Sequence, residues 1–266
     1  MEKKQTFINA DDFGITKENT DKILNLIKEG NVDSVSIMIN QYDFKANDLL
    51  SLNTKIKLHL NLTTSFTPGS KKNIKNLVNS SFIKLLFTFN KNKKSEIFKE
   101  IDYQIEAFKN KMNIKNISLD SHHHVHMIPW IYNYLILSKH NIVEIRNSLE
   151  SFKSFQLKHL VLFKVLRNII ALVVLKFLKI FNNKNINIKL IDFCGLLYSG
   201  IIDKEKFLFQ YKYLNKKNNL SEIALHPGRI GNNETAYFNS RDKKELNSQK
   251  RETEYKVGLL KLTNDT

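Results

Sequence analysis

The stretch Asp120-Ser121-His122-His123-His124-Val125-His126 places four imidazoles within five positions, beside a carboxylate. Imidazole is the commonest protein ligand for transition metals, and it changes charge near neutral pH. A packed core rarely needs that density of it. A second dense site stands at Asn9-Ala10-Asp11-Asp12-Phe13-Gly14, where adjacent carboxylates follow an apolar run. Two ionised neighbours repel, so a nearby cation would stabilise both. Adjacent residues point differently, which lets one carboxylate bind a metal while the other faces a water. A helix N-terminus also favours an Asp pair, and alone that explanation would suffice. Beside the histidine cluster, the pair reads as one ligand and one base of a metal-dependent hydrolase.

Two further histidines fit this chemistry. In Lys57-Leu58-His59-Leu60-Asn61-Leu62-Thr63 the residues alternate, so His59, Asn61 and Thr63 share one face and the leucines the other. A single strand histidine is usually structural, but this one sits on a polar face and reads as a ligand. His226 precedes Pro227-Gly228, a turn signal, after a short apolar run. An imidazole held at a strand end suits a general acid, although a turn histidine without chemistry has the same appearance. Within the cluster, His122 and His126 have helical spacing, whereas His122, His124 and His126 would share a side of an extended chain. Spacing alone leaves both arrangements open.

Elements that must position these groups follow a βαβα rhythm. Strands are expected at Thr6–Asn9, Ser34–Ile39, Ile56–Leu62, Ile117–Leu119, Val143–Arg146, Ile186–Ile191 and Ile223–Leu225. Helices are expected at Thr16–Glu29, with Thr16 as N-cap and Gly30 after its end, at Asp43–Leu52 and at Ser95–Lys111, with a Pro68-Gly69 loop between the last two. The rhythm predicts an α/β fold, a parallel sheet or barrel. Asp11-Asp12, His59, His122 and His226 each fall within or just past the C-terminal half of an expected strand. In a barrel those ends converge on one face, where such folds place active sites.

The 266 residues are long enough for one barrel or two small domains, and 3 Pro and 8 Gly leave little for linkers. The single cysteine, Cys194, excludes an intrachain disulfide. Met1–Gln5 leads straight into a strand too short for a secretory core, which reads as cytoplasmic. The formal charge of +16 is compatible with nucleic acid, an anionic membrane or a phosphorylated substrate, and also with a plain Lys-rich composition bias. The aromatic-plus-basic motifs of common RNA modules are absent, which argues against a nucleic-acid partner. From Phe152 to Phe181 the chain is strongly apolar yet carries Lys158, Lys164, Arg167, Lys176 and Lys179. Leu162, Leu166, Ile169, Val173, Phe177 and Ile180 follow helical steps with the basic residues mostly opposite. Such a helix lies in a membrane interface or packs on the body as a barrel helix or lid.

Taken in order, Asn9–Gly14, His59-Leu60-Asn61-Leu62-Thr63, Asp120–Met127 and His226-Pro227-Gly228 resemble the motifs of the YdjC-like carbohydrate deacetylases, which include the chitooligosaccharide deacetylases. The resemblance implies one TIM-like (β/α) barrel domain over 1–266, with a helical insertion at about 152–185. It implies removal of an acetyl group from an N-acetylated amino sugar with one divalent metal. It further implies that Asp12, His59 and His122 bind that metal, that Asp11 is the base and that His226 is the acid. Asp120 is then placed to fix the tautomer of a ligand imidazole. Arg146 would orient Asp11 or hold a phosphate or sugar group, and His124 and His126 would contact substrate or support the ligands. On ligand softness an Asp-His-His set suits Zn²⁺, Co²⁺ or Ni²⁺ better than Mg²⁺, and availability can override that order.

The 152–185 segment looks longer and more apolar than its counterpart in the soluble chitooligosaccharide enzymes. The resemblance extends to relatives that act on lipid-linked amino sugars, and this segment suits that class: a polyprenyl-phosphate N-acetylhexosamine used in envelope glycolipid or lipid A modification, with peripheral contact to the inner face of an anionic membrane. A soluble chitooligosaccharide is the alternative substrate, and a homodimer is compatible with the sequence. Two other classes compete: a two-metal phosphodiesterase, for which too few carboxylates lie near the motifs, and a basic membrane- or nucleic-acid-binding protein with a closed structural metal site.

Overall fold

Seven parallel strands close into a barrel in a computed structural model that describes residues 6–64, 81–160, 163–182, 187–217, 219–229, 238 and 240–260. They are β1 (Thr6–Phe13), β2 (Ser34–Ile37), β3 (Lys55–Leu60), β4 (Ile117–Ser121), β5 (Ile142–Asn147), β6 (Lys189–Cys194) and β7 (Ser221–Leu225). Each pairs with the next in chain order, and β7 closes on β1 with Thr6 opposite Ser221 and Ala10 opposite Leu225. The expected α/β barrel is the observed one, an irregular TIM-like barrel with seven strands.

Strand alternation divides each strand between two environments. Ile8, Ala10, Leu58, Leu60, Ile145, Ile223 and Leu225 belong to the apolar core, shared with helix residues such as Ile23, Leu26 and Ile101. The intervening residues Asn9, Asp11, Lys57, His59, Arg146 and Glu222 are equally buried but polar. Lys57 on β3 bonds Glu222 on β7, and Arg146 on β5 bonds Asp11 on β1. Neither pair of strands is adjacent, so these bonds run through the barrel lumen. The lumen is therefore lined by charge, and the apolar layer lies outside it.

The connecting helices are α1 (Lys17–Lys28), α2 (Asn47–Leu50), α3 (Phe82–Leu86), α4 (Lys91–Met112), α5 (Pro129–Leu137), α6 (Phe163–Lys179), α7 (Lys204–Asn215), α8 (Ser240–Leu246) and α9 (Gln249–Gly258). Thr16 caps α1 as expected, its Oγ1 accepting from the Asn19 N–H at 3.2 Å. Asn90 caps α4 in the same way, accepting from the Lys93 N–H at 3.0 Å. That cap starts α4 one turn before the expected Ser95, and Ile97, Ile101, Ile105, Phe108 and Met112 form its buried stripe.

Two expectations differ from the structure. The helix expected over Asp43–Leu52 is reduced to the four residues of α2. The Tyr42 N–H donates to the Gly14 carbonyl, and Phe44 packs edge-on against Phe13 with ring centroids 4.9 Å apart. Those residues cover the end of β1 instead of winding into a turn of helix. In α6 the buried face is Val165, Asn168, Leu172, Leu175 and Leu178, whereas Leu166, Val173 and Phe177 of the expected apolar stripe face outward. The helix is apolar on both sides, so periodicity selected one apolar face and packing used the other. The Pro68-Gly69 loop, Leu162 and the start of the strand expected at Ile186 lie outside the described residues. Among the described residues no helix is long and apolar enough to cross a membrane.

Candidate active site

Every motif singled out by its chemistry ends at the C-terminal mouth of the barrel. Asp11 and Asp12 close β1, His59 is the penultimate residue of β3, and His122 follows β4 directly. Arg146 is penultimate in β5, and His226 follows β7. β1 carries a register shift against β2 between Ala10 and Phe13, and Asp12 sits in the left-handed region at φ 68°. This irregularity re-aims two neighbouring carboxylates that a regular strand would send to opposite faces. Such a backbone costs of order 1 kcal/mol outside glycine and tends to occur at functional sites. Two residues on, Gly14 has φ 84°, and a Cβ there would meet the Met38 carbonyl oxygen at 2.7 Å, so the turn requires glycine.

Neither spacing-based arrangement of the histidine run is realised. His122–Met127 forms a 3₁₀ turn in which His123 and His124 are left-handed, at φ 54° and 55°. The His122 and His123 rings stay in contact, centroids 4.0 Å apart, while the four rings take different polar partners. His122 Nδ1 lies 3.0 Å from Asp12 Oδ1. His123 Nδ1 meets Thr63 Oγ1 at 2.8 Å, and His124 Nδ1 meets Ser148 Oγ at 3.0 Å. His126 is fully buried between Ser121 Oγ and the Arg146 carbonyl, at 2.6 and 2.9 Å. Burial pushes His126 down to about 4 and lowers His124, with Arg146 adding to the effect at His124, so both rings are neutral near pH 7. His126 joins the end of β4 to β5 through its bonds to Ser121 and Arg146.

Asp12, His59 and His122 each offer one ligand atom, and these lie within 4.8 Å of one another. His59 Nε2 is 3.4 Å from Asp12 Oδ1, and its Nδ1 donates to Asp120 Oδ1 at 2.6 Å. A carboxylate behind a ligand imidazole fixes its tautomer and raises its basicity. Asp11, His59 and Asp120 form a second group of the same size. There, however, a cation is already present: Arg146 donates to both oxygens of Asp11, at 2.7 and 2.8 Å, and to Asp120 Oδ2 at 2.7 Å. In the first group Arg251 donates only to Asp12 Oδ2, so Oδ1 and the two imidazoles could hold a divalent ion.

The surrounding network sets the protonation of each group. Burial works against the Asp11 carboxylate, but the Arg146 guanidinium more than offsets it and lowers its pKa. Burial likewise opposes ionisation of Asp12, and the His122 and Arg251 charges hold it well below the usual carboxylate range. Burial disfavours the charged form of His59, yet Asp120 and Asp12 raise it to about 10. His226 is raised to about 9: burial opposes its charge, while Glu254, Asp11 and Asp12 favour it. Its Nδ1 faces Glu254 Oε2 at 3.2 Å, which leaves Nε2 toward Asp11 Oδ2 at 3.7 Å.

Several groups here were not among the expected site residues. Lys57 and Glu222 pair in the lumen, and Glu222 also accepts from Arg146 Nε. Ser36 donates to Asp120 Oδ2 at 2.6 Å. From α9, Arg251 donates to Asp12 Oδ2 at 2.9 Å and Glu254 accepts from the His226 backbone N–H at 2.6 Å. Lys57 shares the alternation that marks His59, and Glu222 that of His226, so strand parity held a signal for both. Arg251 and Glu254 lie on a helix whose composition looks solvated, and nothing local distinguishes them. Ile15, Thr64, His122, Asp242, Glu245 and Leu246 line a shallow depression beside the cluster.

Comparison with known proteins agrees with this geometry. The model of the YdjC-like protein family matches residues 6–260. Chitooligosaccharide deacetylases of Yersinia pestis bv. Antiqua (strain Angola) and Yersinia pseudotuberculosis serotype O:3 (strain YPIII) are each 30% identical over 139 residues, 49% of this chain and 53% of theirs. The match thus spans about half the length of these curated relatives. A crystal structure of a candidate cellobiose-phosphate cleavage protein from Enterococcus faecalis V583 superposes with a TM-score of 0.57 at 21% identity, covering 97% of both chains, a likeness of fold.

Proposed function

Because the chain belongs to the YdjC-like family, we propose that it is a carbohydrate deacetylase that hydrolyses the acetamide of an N-acetylated amino sugar. The observation that carries this reading is the convergence of Asp12, His59 and His122 at the barrel mouth, with Asp11 and His226 beside them. One divalent cation held by those three residues supplies Lewis acidity, polarising an acyl carbonyl and lowering the pKa of a water.

The chain's own residues divide the proton traffic. Asp11 accepts the proton of the attacking water. Arg146 weakens it as a base but keeps it always in the accepting form and fixed in direction. His226 gives the proton that the leaving amine requires, since an amine anion does not depart. Glu254 occupies Nδ1 and keeps the ring charged, so the proton on Nε2 faces the site. Asp120 holds His59 in the tautomer that presents Nε2. We read the whole as one catalytic domain that keeps the helical insertion of 152–185.

The named relatives support a soluble chitooligosaccharide as substrate. A second reading, a polyprenyl-phosphate-linked N-acetylhexosamine, is favoured by one observation: the exposed apolar face of α6 flanks the mouth, and no acidic residue occurs between Phe152 and Phe181. Acetate release from both substrates by metal-reconstituted protein decides between them. Release from the free oligomers supports the first reading, and release confined to the lipid-linked sugar supports the second. Release from neither would overturn the deacetylase reading.

A further inference from the structure

Helix α6 presents an unusual outer surface. Its exposed positions are Phe163, Leu166, Arg167, Ile170, Val173, Val174, Phe177 and, just past its end, Ile180 and Phe181. Arg167 is the one polar residue among them, and Phe163 and Phe177 are 83% and 59% exposed. The half-buried flanks carry Lys164, Lys176 and Lys179. The Lys176 ammonium lies 4.1 Å from the Phe152 ring centroid and the Lys179 ammonium 5.0 Å from that of Tyr132, each resting on an aromatic face beside the helix. At 1.5 Å per residue the helix is about 25 Å long.

Its place in the fold gives this surface meaning. Asn168 on the inner face donates to the carbonyls of Leu197 and Ser199 beyond β6, at 3.1 and 3.2 Å. The helix also touches the His122–Met127 turn beyond β4. Its inner face is therefore anchored on loops at the C-terminal mouth, the same end of the barrel that holds the candidate active site.

We propose that the outer face of α6 docks on an anionic lipid surface and sets the barrel mouth against the headgroups. A contiguous apolar stripe of this size on a soluble body marks an interaction site. A stripe with cations on its flanks matches an interface whose apolar interior lies just below anionic headgroups. Charge decides against a second copy of the chain as occupant. The segment 152–181 holds six Lys and Arg and no Asp or Glu, so two copies face to face would place like charges together. The helix lies on the surface and does not span it, in keeping with its length and flanks. The docking stands on α6 alone and holds for either substrate.

Sedimentation of the full chain with vesicles tests it. Wild type should bind vesicles of phosphatidylglycerol and phosphatidylcholine at least tenfold more tightly than pure phosphatidylcholine vesicles. Ile170→Asp with Phe177→Asp should weaken that binding at least tenfold, while acetate release from a soluble oligomer is unchanged. Retention of activity separates a failure of docking from a failure of the deacetylase reading. Absence of binding by wild type overturns the proposal, and so does binding that the double variant retains, since net charge alone would then account for it. Concentration-dependent dimerisation that the double variant abolishes, without vesicle binding, would give the face to a second copy and overturn it as well.

Discussion

Strands β1, β3 and β4 deliver Asp12, His59 and His122, whereas β5, β7 and α9 deliver Arg146, Glu222, Arg251 and Glu254. The first group has the residue types of a metal site, packed into recognisable motifs. The second has ordinary charged residues spread over three elements: Arg251 reaches Asp12 itself, and Arg146, Glu222 and Glu254 hold groups beside the first set. Arg146 fixes Asp11 and Asp120, Arg251 fixes Asp12, and Glu254 fixes His226. β1, β3 and β4 carry the proposed ligands and the proposed base, β7 leads to the proposed acid His226, and β5, β7 and α9 supply the charges around them. A cluster of histidines near two aspartates is thus an incomplete description of the site.

Variants in the two groups should fail differently. The largest effect is expected at a ligand: Asp12→Ala should lower acetate release by about a thousandfold or more, because several kcal/mol of charge stabilisation depends on the cation. Arg146→Met leaves Asp11, Asp120 and Glu222 buried without their shared partner. It should cost about 3–5 kcal/mol of stability in urea titration, the scale of a broken buried ion pair. Stability within 1 kcal/mol of wild type would mean that the lumen network is not held by Arg146. Arg251→Gln should weaken metal binding by about 10–100-fold in a zinc titration, as loss of a group behind a ligand does elsewhere.

Glu254→Gln should act on pH dependence. His226 is raised to about 9, so activity that needs its proton persists below that value and falls as pH rises through it. Without Glu254 the alkaline limb should move toward the imidazole's ordinary 6.5, lowering the rate at pH 8 by about tenfold. The stabilisation that pairing gives the fold has the same sign, being complete below 6.5 and lost as pH rises through about 9. An unmoved alkaline limb would remove His226, or its coupling to Glu254, from the proton pathway.

Much of this was legible in the sequence because strand parity and chemistry coincide. Runs at residues 6, 34, 56, 117, 143 and 223 each became a strand, and the polar motifs fell at their C-terminal ends. Local spacing was silent wherever tertiary contacts decide. The histidine run fits helical and extended patterns alike and adopts neither, because two left-handed residues, His123 and His124, interrupt both. Asp43–Phe44 has helical character but is drawn over β1 by Phe13 and Gly14. α6 has two apolar faces, and only packing against Leu197 and Ser199 shows which is inner. Arg251 lies 239 residues from Asp12 along the chain, and a single sequence holds no trace of that meeting.

The division of labour at β1 is tested most directly by pairing zinc titration with acetate release from N-acetylglucosamine oligomers for Asp11→Asn and Asp12→Ala. Asp11→Asn should bind zinc within a few-fold of wild type and release no measurable acetate, while Asp12→Ala should lose both. Zinc binding lost in Asp11→Asn and kept in Asp12→Ala would reverse the two roles and contradict the account.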